Sequence, residues 1–187
     1  MPKQSDVVAF FEEDEAWGCF SNFYSDGHEY DFIIPQEFFA AGFRTEKERT
    51  VKCAFSEKAI MLCKAAVMND EETFSKIVAA STPAETKKLG RQIRGFNQKL
   101  WDEVVCSVAF EIVFQKFQKQ PELREALLMT GEVIIVEASP YDAIWGIKMA
   151  PQDPRVNSPA QWQGTNILGW ALMEARAVLK GCCYRAQ

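Results

Sequence analysis

Between Asn97 and Gln118, Trp101, Val105, Val108 and Ile112 fall at the 3.6-residue spacing of one helix face, and Gln115 continues the row. This is the longest helical pattern in the chain and predicts the central core helix. Shorter helices are predicted around it. Asp70 ahead of Glu71 and Glu72 marks one start. Ser81-Thr82-Pro83-Ala84-Glu85 marks another, on a helix carrying Lys87, Lys88 and Arg91 and stopped by Gly95. Pro121–Met129 is a third, ending before Thr130-Gly131. Val7–Phe11, Tyr30–Ile34 (closed by Pro35) and Glu132–Glu137 read as strands, the last with β-branched residues on both faces. Trp17–Tyr24 is aromatic without period and reads as an ordered loop. Ala138–Gly146 is turn-rich, and Lys148–Gln163 is a loop with three prolines. Gly164–Gly169 then leads into a final helix carrying Leu172, Met173, Arg176 and Leu179. Residues 36–52 read as an insertion, with an apolar patch at Phe38, Phe39 and Phe43 followed by charges from Arg44 onward. Both a flexible lid and a solvated helix explain that composition. The sum is a compact, helix-rich α+β fold with a few short strands, organised as a single domain over residues 1–187.

One further helix, Phe55–Ala65, carries chemistry. Ile60, Cys63 and Val67 make its apolar face, and Ser56 is placed to cap its start, with Glu57 in the first turn. Glu57 and Lys64 are a heptad apart, a spacing that drifts only ~20° around a straight helix. They therefore share a face with Met61, about 100° from the apolar stripe. A carboxylate and an amine at the margin of a core form a candidate acid–amine pair; a solvated helix face is the plainer alternative.

Composition narrows the choices. At 187 residues, with 48% hydrophobic and 25% charged residues, the chain is an ordinary globular protein. A net charge of −5 argues against broad, sequence-independent nucleic-acid binding, although one basic pocket is compatible with it. The six cysteines lack CxxC spacing, so no structural metal site is expected, and Cys182-Cys183 reads as spare thiols in a reducing cytosol. The one histidine, His28, lies in a turn-like Ser25-Asp26-Gly27-His28-Glu29 and reads as a surface residue rather than a triad base. If the chain is an enzyme, its acids and bases are then carboxylates, lysines or tyrosines. The N-terminus has no signal-peptide pattern and no apolar run spans a bilayer, so the expectation is a cytoplasmic protein with no membrane partner.

Taken in order, Ser21-Asn22-Phe23-Tyr24, Glu57 with Lys64-Ala65, Leu89-Gly90-Arg91, Trp101, Lys116-Phe117, Leu128 with Thr130-Gly131, Glu137, Asp142 with Trp145-Gly146, and Gly164, Asn166, Leu168-Gly169, Leu172-Met173 and Arg176 resemble the NADAR family, the YbiA-like N-glycosidases. The resemblance covers nearly the whole chain. Two departures stand out: a longer stretch between Tyr24 and Glu57, and Ile147-Lys148 after Trp145-Gly146, where many members have a further glycine.

The resemblance implies an N-glycosidase that needs neither metal nor cofactor. Its substrate would be an ADP-ribosylated guanine, in nucleic acid or nucleotide, or a phosphoribosylated aminopyrimidine of riboflavin synthesis. Both carry ribose C1 on an exocyclic amine. Such a linkage opens to an imine, and a lysine amine can displace the base to form a Schiff base that water hydrolyses. Lys64 would be that nucleophile and Glu57 its acid/base, with Asp142 a second carboxylate that orients ribose hydroxyls or assists water. In the other reading, Glu57 and Asp142 hydrolyse directly and Lys64 only stabilises charge. Trp101 and Trp145 are candidates to stack on the base, though periodicity favours core packing for Trp101. Arg91 and Asn22 are candidates for the phosphate or ribose end. Ser21, Phe23 and Gly146 belong to the same substrate-binding set. Asn166, with Gly164 and Gly169, would either open a helix N-terminus to an anion or simply start the helix. Glu137 is a strand-end partner of the site or a structural hydrogen bonder. A non-catalytic ADP-ribose reader would need the aromatics and arginine but not Glu57 and Lys64 together. Arg44, Lys47, Arg49 and Lys52 are the residues that could give a nucleic-acid substrate a basic groove.

Overall fold

Runs of strong helix formers bounded by capping residues give six α-helices among the described residues, and four short strands complete the α+β class. The structure is a computed structural model that describes residues 7–44 and 49–184, with side chains as far as Gly181. In chain order the elements are β1 (Val7–Phe10), β2 (Tyr30–Ile33), β3 (Thr50–Cys53), α1 (Ser56–Val67), α2 (Glu71–Ala79), α3 (Pro83–Gly90), α4 (Gln98–Lys119), α5 (Pro121–Met129), β4 (Ile134–Glu137) and α6 (Ile167–Tyr184). They gather into two compact units, one from Ser25 to Lys116 and the other comprising the chain up to Tyr24 with everything from Phe117 onward.

In the Ser25–Lys116 unit, β2 and β3 form an antiparallel pair. Strand periodicity sends Tyr30, Phe32, Val51 and Cys53 inward and leaves Asp31 and Lys52 outward as an exposed pair at 3.5 Å. Gln115 of α4 seals the open edge of β2, its amide accepting from Ile33 N at 2.9 Å and donating to Ile33 O at 2.8 Å. Trp101, Val105, Val108 and Ile112 are buried along α4, as their spacing predicts. Asp70 caps α2, accepting from Thr73 N, and Thr82 caps α3, accepting from Glu85 N. The α3 helix closes at Gly90, with Arg91 as its C-cap, so it does not run on to Gly95 as the sequence suggested. Gly95 instead takes a left-handed turn, φ 65°, five residues later.

The described part of the 36–52 stretch is neither a solvated helix nor a loose flap. Gln36–Phe38 is one 3₁₀ turn, and Phe38, Phe39 and Phe43 are all buried. Phe39, Phe43 and Phe74 of α2 pack ring to ring, with centroids 5.1 to 6.3 Å apart. Ala40 N donates to Ala66 O of α1, which pins the segment from below. Lys47 lies outside the described residues, and Arg44 and Lys52 are exposed.

In the other unit, β1 and β4 pair in parallel, Val7 opposite Ile134 through Phe10 opposite Glu137. Strand β4 starts two residues later than its sequence pattern, after Gly131 has closed α5 at φ 64°. Val7, Val136, Ala138, Ile147, Met149 and Val156 form the core on this pair. The aromatic loop turns through Gly18–Phe20, where Trp17 stacks on Phe20 and Phe20 packs against Phe10 and Phe117. Arg176 of α6 is buried, donating to Thr130 Oγ1 at 2.8 Å and Val133 O at 2.9 Å, and so ties α6 to the turn before β4.

Candidate active site

Helix α1 sets the acid–amine pair. Its N-cap is Phe55, extended at φ −149° and ψ 152°, and no side chain caps it; Ser56 is the first helical residue instead of the cap expected of it. Phe55 is buried, and this anchor fixes where the chain turns into the helix. Glu57 follows in the first turn at 8% exposure, and Lys64 lies half-buried in the last. Seven residues rise about 10 Å, and helical side chains lean toward the N-terminus, so the long Lys64 stem shortens the gap to Glu57. Burial lowers the Lys64 pKa below the ordinary lysine value, while the Glu57 carboxylate pulls it back up. The Lys64 ammonium also lies 4.4 Å from the centroid of the Phe96 ring. Phe96 is 42% exposed and was not singled out from sequence. Its only signal there is its place after Gly95, whose left-handed turn presents it.

Met61, between Glu57 and Lys64, packs on Gly90, and a Cβ at Gly90 would meet Met61 Sδ at 2.0 Å. The glycine of Leu89-Gly90-Arg91 is thus there so that α3 can approach this face of α1 closely. Arg91 comes next, exposed, and among the described residues no hydrogen bond or ion pair reaches its guanidinium. Trp101 is 7% exposed on the buried face of α4, the packing its period predicts.

The remaining sequence candidates lie in the other unit. Ser21 is buried and accepts from Phe23 N at 3.2 Å. Asn22 is 6% exposed, yet no hydrogen bond reaches its side chain among the described residues. Asp142 Oδ1 accepts from Ile144 N and Trp145 N, both at 2.8 Å, so this carboxylate holds the turn that presents Trp145. Gly146 has no room for a Cβ, which would lie 2.7 Å from Glu137 O.

Asn166 is a structural clamp. Its Oδ1 accepts from Glu137 N and its Nδ2 donates to Ile135 O, both at 3.0 Å, so both ends of the amide are spent on β4. The N–H groups of Thr165, Asn166, Ile167 and Leu168 donate to the carbonyls of Ala143, Gly146, Ile144 and Trp145. The start of α6 is therefore closed by backbone, which corrects the reading of an N-terminus open to an anion. Gly164 and Gly169 allow this approach: a Cβ would fall 2.3 Å from Gly146 O and 2.2 Å from Ile135 O, respectively. Glu137 contributes backbone bonds to the same clamp, its carbonyl accepting from Ile147 N. His28 is a surface residue of the Asp26 turn, with Asp26 Oδ1 accepting from its N–H at 2.9 Å. Cys182 and Cys183 have side chains outside the described residues.

On α1 a buried carboxylate thus shares a helix face with a half-buried amine whose pKa burial lowers. The NADAR domain model matches residues 9–180, and the chain belongs to that family. An N-glycosidase of Acanthamoeba polyphaga mimivirus is 41% identical over 122 residues, covering 65% of this chain and 71% of that one. An N-glycosidase of Nostoc punctiforme is 30% identical over 174 residues and 93% of both chains. The NMR structure of the Escherichia coli protein YbiA superposes with a TM-score of 0.69 at 24% identity, covering 97% of this chain and 89% of that one, which establishes the shared fold. Membership places the chain among the N-glycosidases, hydrolases acting on N-glycosyl compounds. No helix among the described residues is long and apolar enough to cross a membrane.

Proposed function

We propose that the chain hydrolyses the bond between ribose C1 and an exocyclic amine of a base, with Lys64 as Schiff-base nucleophile and Glu57 as acid/base. The observation that carries this reading is the lowered pKa of a half-buried Lys64 that shares a helix face with buried Glu57. Neither a solvated helix face nor a ligand reader has use for both.

The sugar ring opens as the exocyclic nitrogen's lone pair forms C1=N and the ring oxygen takes a proton. The Lys64 amine adds to C1, giving a carbon that bears two nitrogens. Glu57 protonates the base nitrogen, the C1–N bond to the base breaks, and the free base amine departs. Lys64 is left as an imine on C1. Water adds with Glu57 as base, the C1–N bond to Lys64 breaks, and the sugar recloses with a hydroxyl at C1. One water is consumed and Lys64 is restored.

Arg91, unpaired and adjacent to the Met61–Gly90 contact, suits a phosphate of the sugar moiety, and the exposed Phe96 ring beside Lys64 suits the base. Asp142 is assigned to positioning Trp145 through its turn. The preferred substrate is an ADP-ribosylated guanine nucleotide, and a ribosylaminopyrimidine phosphate is the competing one. Offering both to the purified chain tests this. Base release from one of them is expected, with Lys64→Ala and Glu57→Ala each losing about 10³-fold or more. Binding without base release from either would mean a reader module.

A further inference from the structure

The Ser25–Lys116 unit holds a second polar feature that the acid–amine pair does not use. Lys58 follows Glu57 directly and so projects about 100° away from it around α1. The residue is 8% exposed, and among the described residues no hydrogen bond or ion pair reaches its ammonium. Cys53 lies nearby, but burial pushes its thiol up to about 12 despite the pull of the Lys58 charge, so it offers no counter-charge at neutral pH. The Lys58 stem is packed away while its charge has no bound carboxylate to neutralise it.

Lys58 lines a cavity of about 410 Å³, within the size range of small-ligand sites. Ala54 and Phe55, leading into α1, form one wall, and Thr50–Lys52 of β3 and the segment from the end of α2 to Ser81 form the others. None of Glu57, Met61, Lys64 and Arg91 lines it. The start of α1 beside it has no side-chain cap, so the positive end of the helix dipole adds to the Lys58 charge. Lys52 stands at the same cavity, shared with Asp31 at 3.5 Å, and Glu29 opposes the two lysines. That balance suits one compact anionic group and disfavours a polyanion.

We propose that this cavity is a binding site for a phosphate monoester group, seated on Lys58 and the start of α1 and separate from the hydrolytic pair. Inorganic phosphate is the probe. In the full chain, amide resonances of Phe55–Ala59 and Ser81 should shift saturably with phosphate at constant ionic strength, chloride serving as the reference. Lys58→Met keeps the length of the stem and removes the charge. It should unfold at or above the wild-type Tm without phosphate, and its half-saturation should rise at least tenfold. Saturable shifts absent from these amides, or an equal response in Lys58→Met, would overturn the assignment. Should the variant fail to fold, the wild-type titration still decides. Neither readout uses base release, so failure here is distinguishable from failure of the Lys64 reaction.

Discussion

In the proposed reaction Lys64 acts as a nucleophile only to the extent that its amine is unprotonated. Burial lowers its pKa and Glu57 raises it, so the residue assigned as acid/base in that reaction also limits the free amine. The cation–π contact with Phe96 acts in the same sense as Glu57, at about 0.5–1 kcal/mol. Imine formation should therefore rise with pH along a limb whose midpoint lies below the ordinary lysine value. In Glu57→Gln that midpoint should fall further, because the stabilising charge is gone, even as turnover collapses for want of an acid. The pH dependence of Lys64 labelling by an amine-selective reagent reads this directly; an unchanged midpoint would mean the two groups do not interact. Thiol chemistry is not expected at Cys53 or Cys63, both fully buried with pKa values pushed up by that burial. Cys106, exposed, should be alkylated well ahead of them.

Among the elements, capping and clamping carry separable amounts of stability. Burial alone would raise the Asp70 carboxyl, but hydrogen bonds from Arg94 and Thr73 outweigh it and hold it well below the usual carboxylate range. Because the folded pKa is depressed, this contribution is complete above the unfolded value of about 4 and is lost as pH falls below it. Asp70→Ala should cost about 2 kcal/mol at pH 7, by denaturant titration, and much less at pH 3. Asn166→Ala should cost about 3 kcal/mol, since it strands Ile135 O and Glu137 N and places alanine at φ 54°. Phe74→Ala should cost about 3–5 kcal/mol through the cavity left among Phe39 and Phe43. What could be read beforehand follows the range of the interactions. The α4 stripe and the Asp70 and Thr82 caps are local and were legible. The Asn166 clamp was not, because its partners lie about thirty residues upstream on a strand. Residues 36–44 depend on a distant contact, because three phenylalanines beside a charged run resemble a surface segment until α2 supplies Phe74. Phe96 was passed over for the same reason: its significance depends on Lys64, far away in sequence.

For the whole molecule, charge bears on substrate size. A net charge of −5 gives the chain little general attraction for phosphate backbones. A nucleotide substrate needs only a few local cations, such as Arg91. Affinity for an ADP-ribosylated oligonucleotide should then depend weakly on salt, with a log–log slope no steeper than about −1.5, as for two phosphate contacts on a single strand. A much steeper slope would point to a basic groove. The family assignment rests on the matched length of the chain, whereas the reaction rests on two residues of α1. Borohydride reduction during turnover, followed by peptide mass mapping, tests that reaction most directly. A sugar adduct on the peptide containing Lys64, absent in Lys64→Ala, is the result expected; full base release with no adduct anywhere on the chain would contradict the Schiff-base account.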